Sequence, residues 1–172
     1  GKVYGWGYNG SGQLGLGNTS NYTTPVYLNM DNVIDITARG NYTAVLKKDG
    51  TVWMAGYNGN GELGINGTSS QSSFVQVKNE DGTGFLTNIK DIESGVNTMY
   101  AITNDGEVYA WGYNGYGQMG FGDTSSRLLP VKLNITNIKQ ISAGEHDTIA
   151  LDNNGEVWVA GRNTEGQLGI GN

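Results

Sequence analysis

Cysteine is absent from this chain, so neither a disulfide framework nor a thiolate-held metal is available to it. Histidine occurs once, as His146, and one imidazole does not supply the usual ligand set of a zinc site. No apolar run approaches the length of a membrane-crossing helix, and the amino terminus carries no charged-then-apolar leader. A secretion signal, if the protein has one, lies outside this segment. Basic residues are few: ten Lys and Arg against sixteen Asp and Glu give a net charge of −6. With no basic cluster along one face, no nucleic-acid partner is expected, whereas a basic protein surface is acceptable on charge. Serines are plentiful, yet none sits in a Gly-x-Ser-x-Gly elbow.

Glycine is the opposite case, with 29 residues of 172. The glycines recur at matched positions, which reads as turns and close strand contacts and not as a flexible tract. They belong to a phrase repeated four times, beginning Gly1-Lys-Val-Tyr-Gly-Trp-Gly-Tyr-Asn-Gly-Ser-Gly-Gln-Leu-Gly and starting again at Gly50, Gly106 and Gly155. The starts are 49, 56 and 49 residues apart. A period of about 50 residues marks a supersecondary unit that buries its apolar face only by stacking on its neighbours. Residues 1–172 are accordingly one repeat array whose last unit is incomplete.

Within a repeat the pattern predicts four short antiparallel strands, in the first copy Lys2–Tyr8, Pro25–Leu28, Val33–Ala38 and Tyr42–Lys47. Asp49-Gly50, Asp105-Gly106 and Asn154-Gly155 then read as type I′ hairpin turns into the next copy. Four strands per unit of this length predict an all-β fold of β-propeller blades: about three blades and a partial fourth, as an open arc or part of a larger ring. Val3, Val52, Val108 and Val157, then Ile36, Ile92 and Ile141, then Leu46, Ile102 and Leu151 are the expected inter-blade core. Odd copies read Tyr4-x-Trp6 and Tyr109-x-Trp111, whereas even copies read Trp53-x-Ala55 and Trp158-x-Ala160. Residues two apart share a strand face, so the alternation reads as volume compensation between blades, with all four tryptophans in packing roles.

The phrase x-V-x-x-[WA]-G-x-N-x-x-G-Q-L-G, preceded by I-x-A-G-x-H-x-T-x-A-L, resembles the repeats of the regulator of chromosome condensation family across essentially the whole chain. The resemblance implies seven-bladed propellers whose loops at one face engage other proteins. Members include a guanine-nucleotide exchange factor that binds nucleosomes, a plant ultraviolet photoreceptor, ubiquitin-ligase domains and a secreted bacterial β-lactamase inhibitor. This sequence departs from the pattern in its loops: Gly144-Glu145-His146-Asp147-Thr148 becomes Arg39-Gly40-Asn41-Tyr42-Thr43 and Gly95-Val96-Asn97-Thr98-Met99. The photoreceptor's Gly-Trp-Arg-His-Thr loops are missing, and no exchange-factor interface can be carried over residue by residue. Three repeats and a fourth start do not close a seven-bladed ring. The chain is therefore expected to be a fragment of a longer protein, or else to self-associate through exposed blade edges.

Carboxylates recur with the blade and so read as geometry: Asp49 and Asp105 in turns, Glu107 and Glu156 after the turn glycine, and Glu62 where other copies have Gln13, Gln118 and Gln167. His146 replaces Asn41 and Asn97, which reads as a polar loop residue. The Asn-Gly-x-Gly runs at Asn9, Asn58 and Asn114 lack the ligands of a calcium or phosphate loop and read as positive-φ turns. The expectation is a non-catalytic protein-interaction module, without cofactor or metal. Its candidate partner-binding residues are Arg39, Asn41, Tyr42, Val96, Asn97, Thr98, Glu145, His146 and Asp147, because loops that vary on a repeated scaffold form a tunable surface. A carbohydrate surface at Tyr8, Tyr57 and Tyr113, broken by Arg162, is the alternative, and an exchange-factor-like regulator follows from the family alone. The insertion near Lys78–Phe85, confined to the second copy, is a further candidate loop. Abundant Asn and more Lys than Arg fit a bacterial protein at the cell surface or secreted, which is the expected location.

Overall fold

The computed structural model describes residues 1–171, which form thirteen β strands in four antiparallel sheets. The first sheet pairs β1 (Tyr4–Gly7) with β2 (Tyr22–Tyr27). Two complete sheets follow: β3 (Val33–Arg39), β4 (Tyr42–Lys47), β5 (Val52–Gly56) and β6 (Gln71–Gln76), then β7 (Ile89–Ser94), β8 (Thr98–Thr103), β9 (Val108–Gly112) and β10 (Arg127–Lys132). The last comprises β11 (Ile138–Ala143), β12 (Asp147–Asp152) and β13 (Val157–Gly161).

Each complete sheet joins the last two strands of one sequence repeat to the first two of the next. The hairpin turns cause this, since β4 runs into β5 through a backbone-paired turn that keeps both in one sheet. That turn is a three-residue loop, not the expected type I′. The Gly50 amide donates to the Lys47 carbonyl at 2.9 Å, the Lys47 amide donates to the Thr51 carbonyl at 2.9 Å, and only Gly50 of the Asp-Gly pair has positive φ. The step between sheets instead falls where Asn32, Asn88 and Asn137 adopt left-handed backbone, their carbonyls accepting from the amides of Lys48, Asn104 and Asn153. Asn tolerates that conformation better than other non-glycine residues. Pro25 and Pro130 lie in β2 and β10, which occupy sheet edges where a missing N–H is tolerated.

The core lies between sheets. One cluster joins Leu46, Val52 and Met54 to Ile89, Ile92 and Met99, a second joins Ile102 and Val108 to Ile138 and Ile141, and a third holds Val3, Leu14, Leu28, Val33 and Val45. Each fully buried Leu, Ile or Met side chain contributes about 1.5–3 kcal/mol. The repeat positions do not all share this fate. Trp6, Val157 and Trp158 are exposed on the two end sheets, Ile36 is exposed on β3 where the preceding sheet has only two strands to set against it, and Leu151 is half-buried. Of the four tryptophans only Trp111 is fully buried.

The exchange of large and small residues runs across the interface between sheets, not between the two positions of one strand face. Between the two complete sheets, the Trp111 indole fills the space beside Ala44 and donates to the Glu62 carbonyl at 2.7 Å. At the next interface Ala160 stands in the place of Trp111 and Tyr100 in the place of Ala44. There the Tyr100 hydroxyl donates to the equivalent carbonyl, that of Gln118, at 2.9 Å. A cavity of about 120 Å³ remains beside Ala160 and Tyr100.

The glycine that ends β5, β9 and β13 is set by the loop of the neighbouring strand. Gly56, Gly112 and Gly161 have φ of 115°, 95° and 116°, and an added Cβ would lie 2.3, 2.5 and 2.3 Å from the carbonyl oxygens of Asn41, Asn97 and His146. Gly56→Ala is expected to lower stability by about 2–4 kcal/mol through combined strain and collision. Gly67→Ala, at a position with open space and ordinary backbone, is expected to stay within about 0.5 kcal/mol of the parent in denaturant titration.

Candidate protein-binding face

The register places all three variable loops at one end of the sheets. Tyr42, Thr98 and Asp147 open their strands opposite Gly56, Gly112 and Gly161, while the Asp-Gly turns occupy the other end. In each loop one carbonyl accepts the amide of the residue after that glycine: Asn41 from Tyr57, Asn97 from Tyr113 and His146 from Arg162, at 2.8–2.9 Å. Adjacent loops also touch, since a Cβ on Gly40 would meet the Val96 carbonyl at 2.8 Å and one on Gly95 the Gly144 carbonyl at 2.9 Å. The loops therefore form one continuous surface with a fixed backbone.

The candidate residues divide by exposure. Asn41 and Glu145 are exposed, and Val96, Asn97, His146 and Asp147 half-buried. Arg39 is exposed overall, and its guanidinium spans two sheets to donate to the Ala143 carbonyl at 2.7 Å. Tyr42 and Thr98 lie inside. Tyr42 is 1% exposed and its hydroxyl contacts the Gly95 and Thr98 carbonyls at 2.8 and 3.1 Å, tying one loop to the next. Burial, and then the nearby Glu62 carboxylate, push that phenol far above its ordinary range, so it stays a neutral donor. The Thr98 hydroxyl donates to the Tyr113 carbonyl at 2.7 Å and lies 3.3 Å from the Gln118 amide nitrogen. These two residues build the face from beneath.

His146 stacks on Tyr116, with ring centroids 4.2 Å apart and planes inclined by 28°. Its Nε2 lies 3.5 Å from Glu145, and its buried Nδ1 has no hydrogen-bond partner. The polar role expected of this position is carried by its backbone carbonyl. Tyr116 was not among the sequence candidates, although it stood out: the same place in the phrase holds Ser11, Asn60 and Glu165. Among the described residues, no group of three or more His, Cys, Asp or Glu is placed to hold a metal.

The tyrosines of the phrase fold back over their own turns. A Cβ on Gly10, Gly59 or Gly115 would lie 2.0–2.1 Å from the hydroxyl of Tyr8, Tyr57 or Tyr113. These glycines do not have positive φ, contrary to the turn reading, and that conformation falls on Gly12, Gly61 and Gly117. In the fourth copy the tyrosine becomes Arg162 and the glycine becomes Thr164, whose hydroxyl accepts from Arg162 Nε at 2.7 Å. Asn9, Asn58 and Asn114 hold the turns by accepting from the amides of Leu14, Leu63 and Met119 and donating to the carbonyls of Asn18, Gly67 and Asp123.

Stacked antiparallel sheets whose inner strands β3, β7 and β11 meet in series are blades of a β-propeller, in an open arc. The family follows from sequence. Residues 1–46 and 105–151 match the regulator of chromosome condensation (RCC1) repeat, and a second model of that repeat matches 89–118 and 138–167. The chain belongs to this family. It is 32% identical over 135 residues to the ultraviolet-B receptor UVR8 of Arabidopsis thaliana, covering 77% of this chain and 30% of that protein. It is also 32% identical over 140 residues to the human X-linked retinitis pigmentosa GTPase regulator, covering 78% of this chain and 13% of that one. The crystal structure of Prp20p from Saccharomyces cerevisiae, described with its binding properties to Gsp1p and histones, superposes with a TM-score of 0.80 at 24% identity. That overlay covers 98% of this chain and 43% of Prp20p. The chain thus spans less than a third of these curated relatives.

Two outcomes test this geometry. Burial, and then the neighbouring Asp35 carboxylate, raise the Asp91 carboxyl above its ordinary value. The ionised form is thereby disfavoured in the fold, so the penalty is full above the folded pKa and vanishes as pH falls below the unfolded value of about 3.9. Asp91→Asn should raise the melting temperature at pH 7 and lose that advantage near pH 3, read by thermal scans. Gly115→Thr should cost about 1–3 kcal/mol by collision with Tyr113. In a Tyr113→Arg background the cost should shrink, giving a coupling energy of about 1 kcal/mol or more in a double-mutant cycle.

Proposed function

We propose that this chain is a non-catalytic protein-binding module whose recognition surface is the loop face displaying Arg39, Asn41, Val96, Asn97, Glu145, His146 and Asp147, with Tyr42 and Thr98 supporting it. One observation carries the reading. The same carbonyl-to-amide bond fixes all three loops, yet their sequences, Arg39-Gly40-Asn41, Gly95-Val96-Asn97 and Gly144-Glu145-His146, share only the asparagine of the first two and the opening glycine of the last two, and otherwise differ in charge, size and polarity. A constant backbone bearing variable side chains is the physical form of a tunable interface. The His146–Tyr116 stack adds a rigid aromatic platform of the kind that anchors interfaces.

Relatives lend support. Prp20p was solved bound to Kap60 and is described with binding to Gsp1p and histones, and another relative is named a GTPase regulator. An exchange-factor role for this chain rests on that kinship alone. The carbohydrate reading has less behind it, because Tyr8, Tyr57 and Tyr113 direct their phenol ends over their own turn glycines.

The test is capture from extracts of the source organism by the parent and by the triple variant Asn41→Ala, Val96→Ser, Glu145→Arg, which leaves every loop carbonyl in place. Partner recovery should fall about tenfold or more, with the melting temperature nearly unchanged. Undiminished capture of every partner by the folded variant would remove the loop face from consideration.

A further inference from the structure

A cleft lies at the opposite end of the sheets from the loop face. The seven extra residues of the second copy do not extend the loop face. The Asn79 carbonyl accepts the Gly82 amide at 3.1 Å and the Asn79 amide donates to the Gly84 carbonyl at 3.1 Å, while Lys78 and Phe85 form an isolated antiparallel bridge. This small hairpin stands beside the Asp105-Gly106 turn. Between the two lies a cleft of about 590 Å³.

The lining of the cleft defines its chemistry. Phe85 is 55% exposed, and with Tyr109 and Leu86 it provides an apolar floor. Glu80, Asp81 and Glu107 stand around it, and no Lys, Arg or His is among the lining residues. The Lys132 ammonium, on β10, pairs with Glu107. Asp81 accepts from the Thr83 amide and hydroxyl, and these bonds hold its carboxyl below the ordinary range and hence ionised. Burial, then Glu107, then Glu80 raise the Tyr109 phenol, and the Lys132 ammonium partly offsets them.

We infer that this cleft binds an extended, basic peptide segment of a partner protein, with lysine or arginine side chains on Glu80 and Asp81 and an aliphatic or aromatic side chain over Phe85. An exposed aromatic floor beneath a rim of one charge sign is complementary to such a segment and repels acidic chains. The volume accommodates a few side chains, not a folded domain. The contact also suits basic side chains generally, because alkyl stems cover the apolar floor while their charged ends reach the rim. The inference is independent of the loop face, which lies at the other end of the sheets.

The test is fluorescence anisotropy with a short labelled peptide of alternating lysine and leucine, and its lysine-to-glutamate counterpart. The lysine peptide should bind, weaken as salt rises, and lose about tenfold or more in affinity to Glu80→Lys/Asp81→Lys. Phe85→Ser should weaken it without altering the salt dependence. These residues are exposed, so both variants should melt like the parent. The inference fails if the lysine peptide does not bind, if the glutamate peptide binds equally, or if the folded Glu80→Lys/Asp81→Lys protein retains full affinity.

Discussion

The arc depends on one side chain per repeat, the asparagine at positions 9, 58, 114 and 163. In each case its carbonyl oxygen accepts the amide five residues on at 2.9 Å. In the first three, its side-chain amide also donates to the carbonyl nine residues on, and the residue is fully buried. A buried amide satisfied at both ends stabilises a loop that has no strand ladder of its own, whereas one left unsatisfied costs about 1–3 kcal/mol. The neighbouring Gln13, Glu62, Gln118 and Gln167 complete the turn, each accepting the amide two residues before it.

That loop is what the next sheet packs on. It presents the Glu62 carbonyl to the Trp111 indole and the Gln118 carbonyl to the Tyr100 hydroxyl. One acceptor is thus satisfied by an indole from the following sheet in one interface and by a phenol from its own sheet in the next. The partners exchange size in concert, Trp111 with Ala44 and Tyr100 with Ala160. The polar constraint stays fixed while the apolar filling alternates, as expected where an orphaned buried carbonyl costs more than a repacked methyl or ring.

Much of this was legible in the sequence. Period-two patterning and Asp-Gly pairs located the hairpins, and the fixed period of about fifty residues pointed to stacked sheets. What escaped was information held in distant partners. The hydroxyl of Tyr42 bonds to the carbonyls of Gly95 and Thr98, more than fifty residues away, so nothing local separates it from an exposed loop tyrosine. Sheet membership escaped for a related reason: the phrase marks where the sequence repeats, whereas the sheet breaks at the left-handed Asn32, Asn88 and Asn137. Exposure of Trp6 and Trp158 follows from their place on end sheets, which no property of an indole encodes.

The two ends of the sheets vary by different rules. At the loop end the carbonyls of Asn41, Asn97 and His146 are committed to a glycine-dependent contact, so substitution of their side chains leaves the chain path intact. At the turn end the hairpins before Gly50, Gly106 and Gly155 keep the same backbone bond, and the second copy adds an insertion there, at Asn79–Gly84. Variation by substitution yields a broad surface of fixed shape, and variation by insertion yields a cleft with walls. A repeat scaffold that keeps its side-chain asparagine and its strand-ending glycine can therefore change what it displays at either end without renegotiating the packing between sheets.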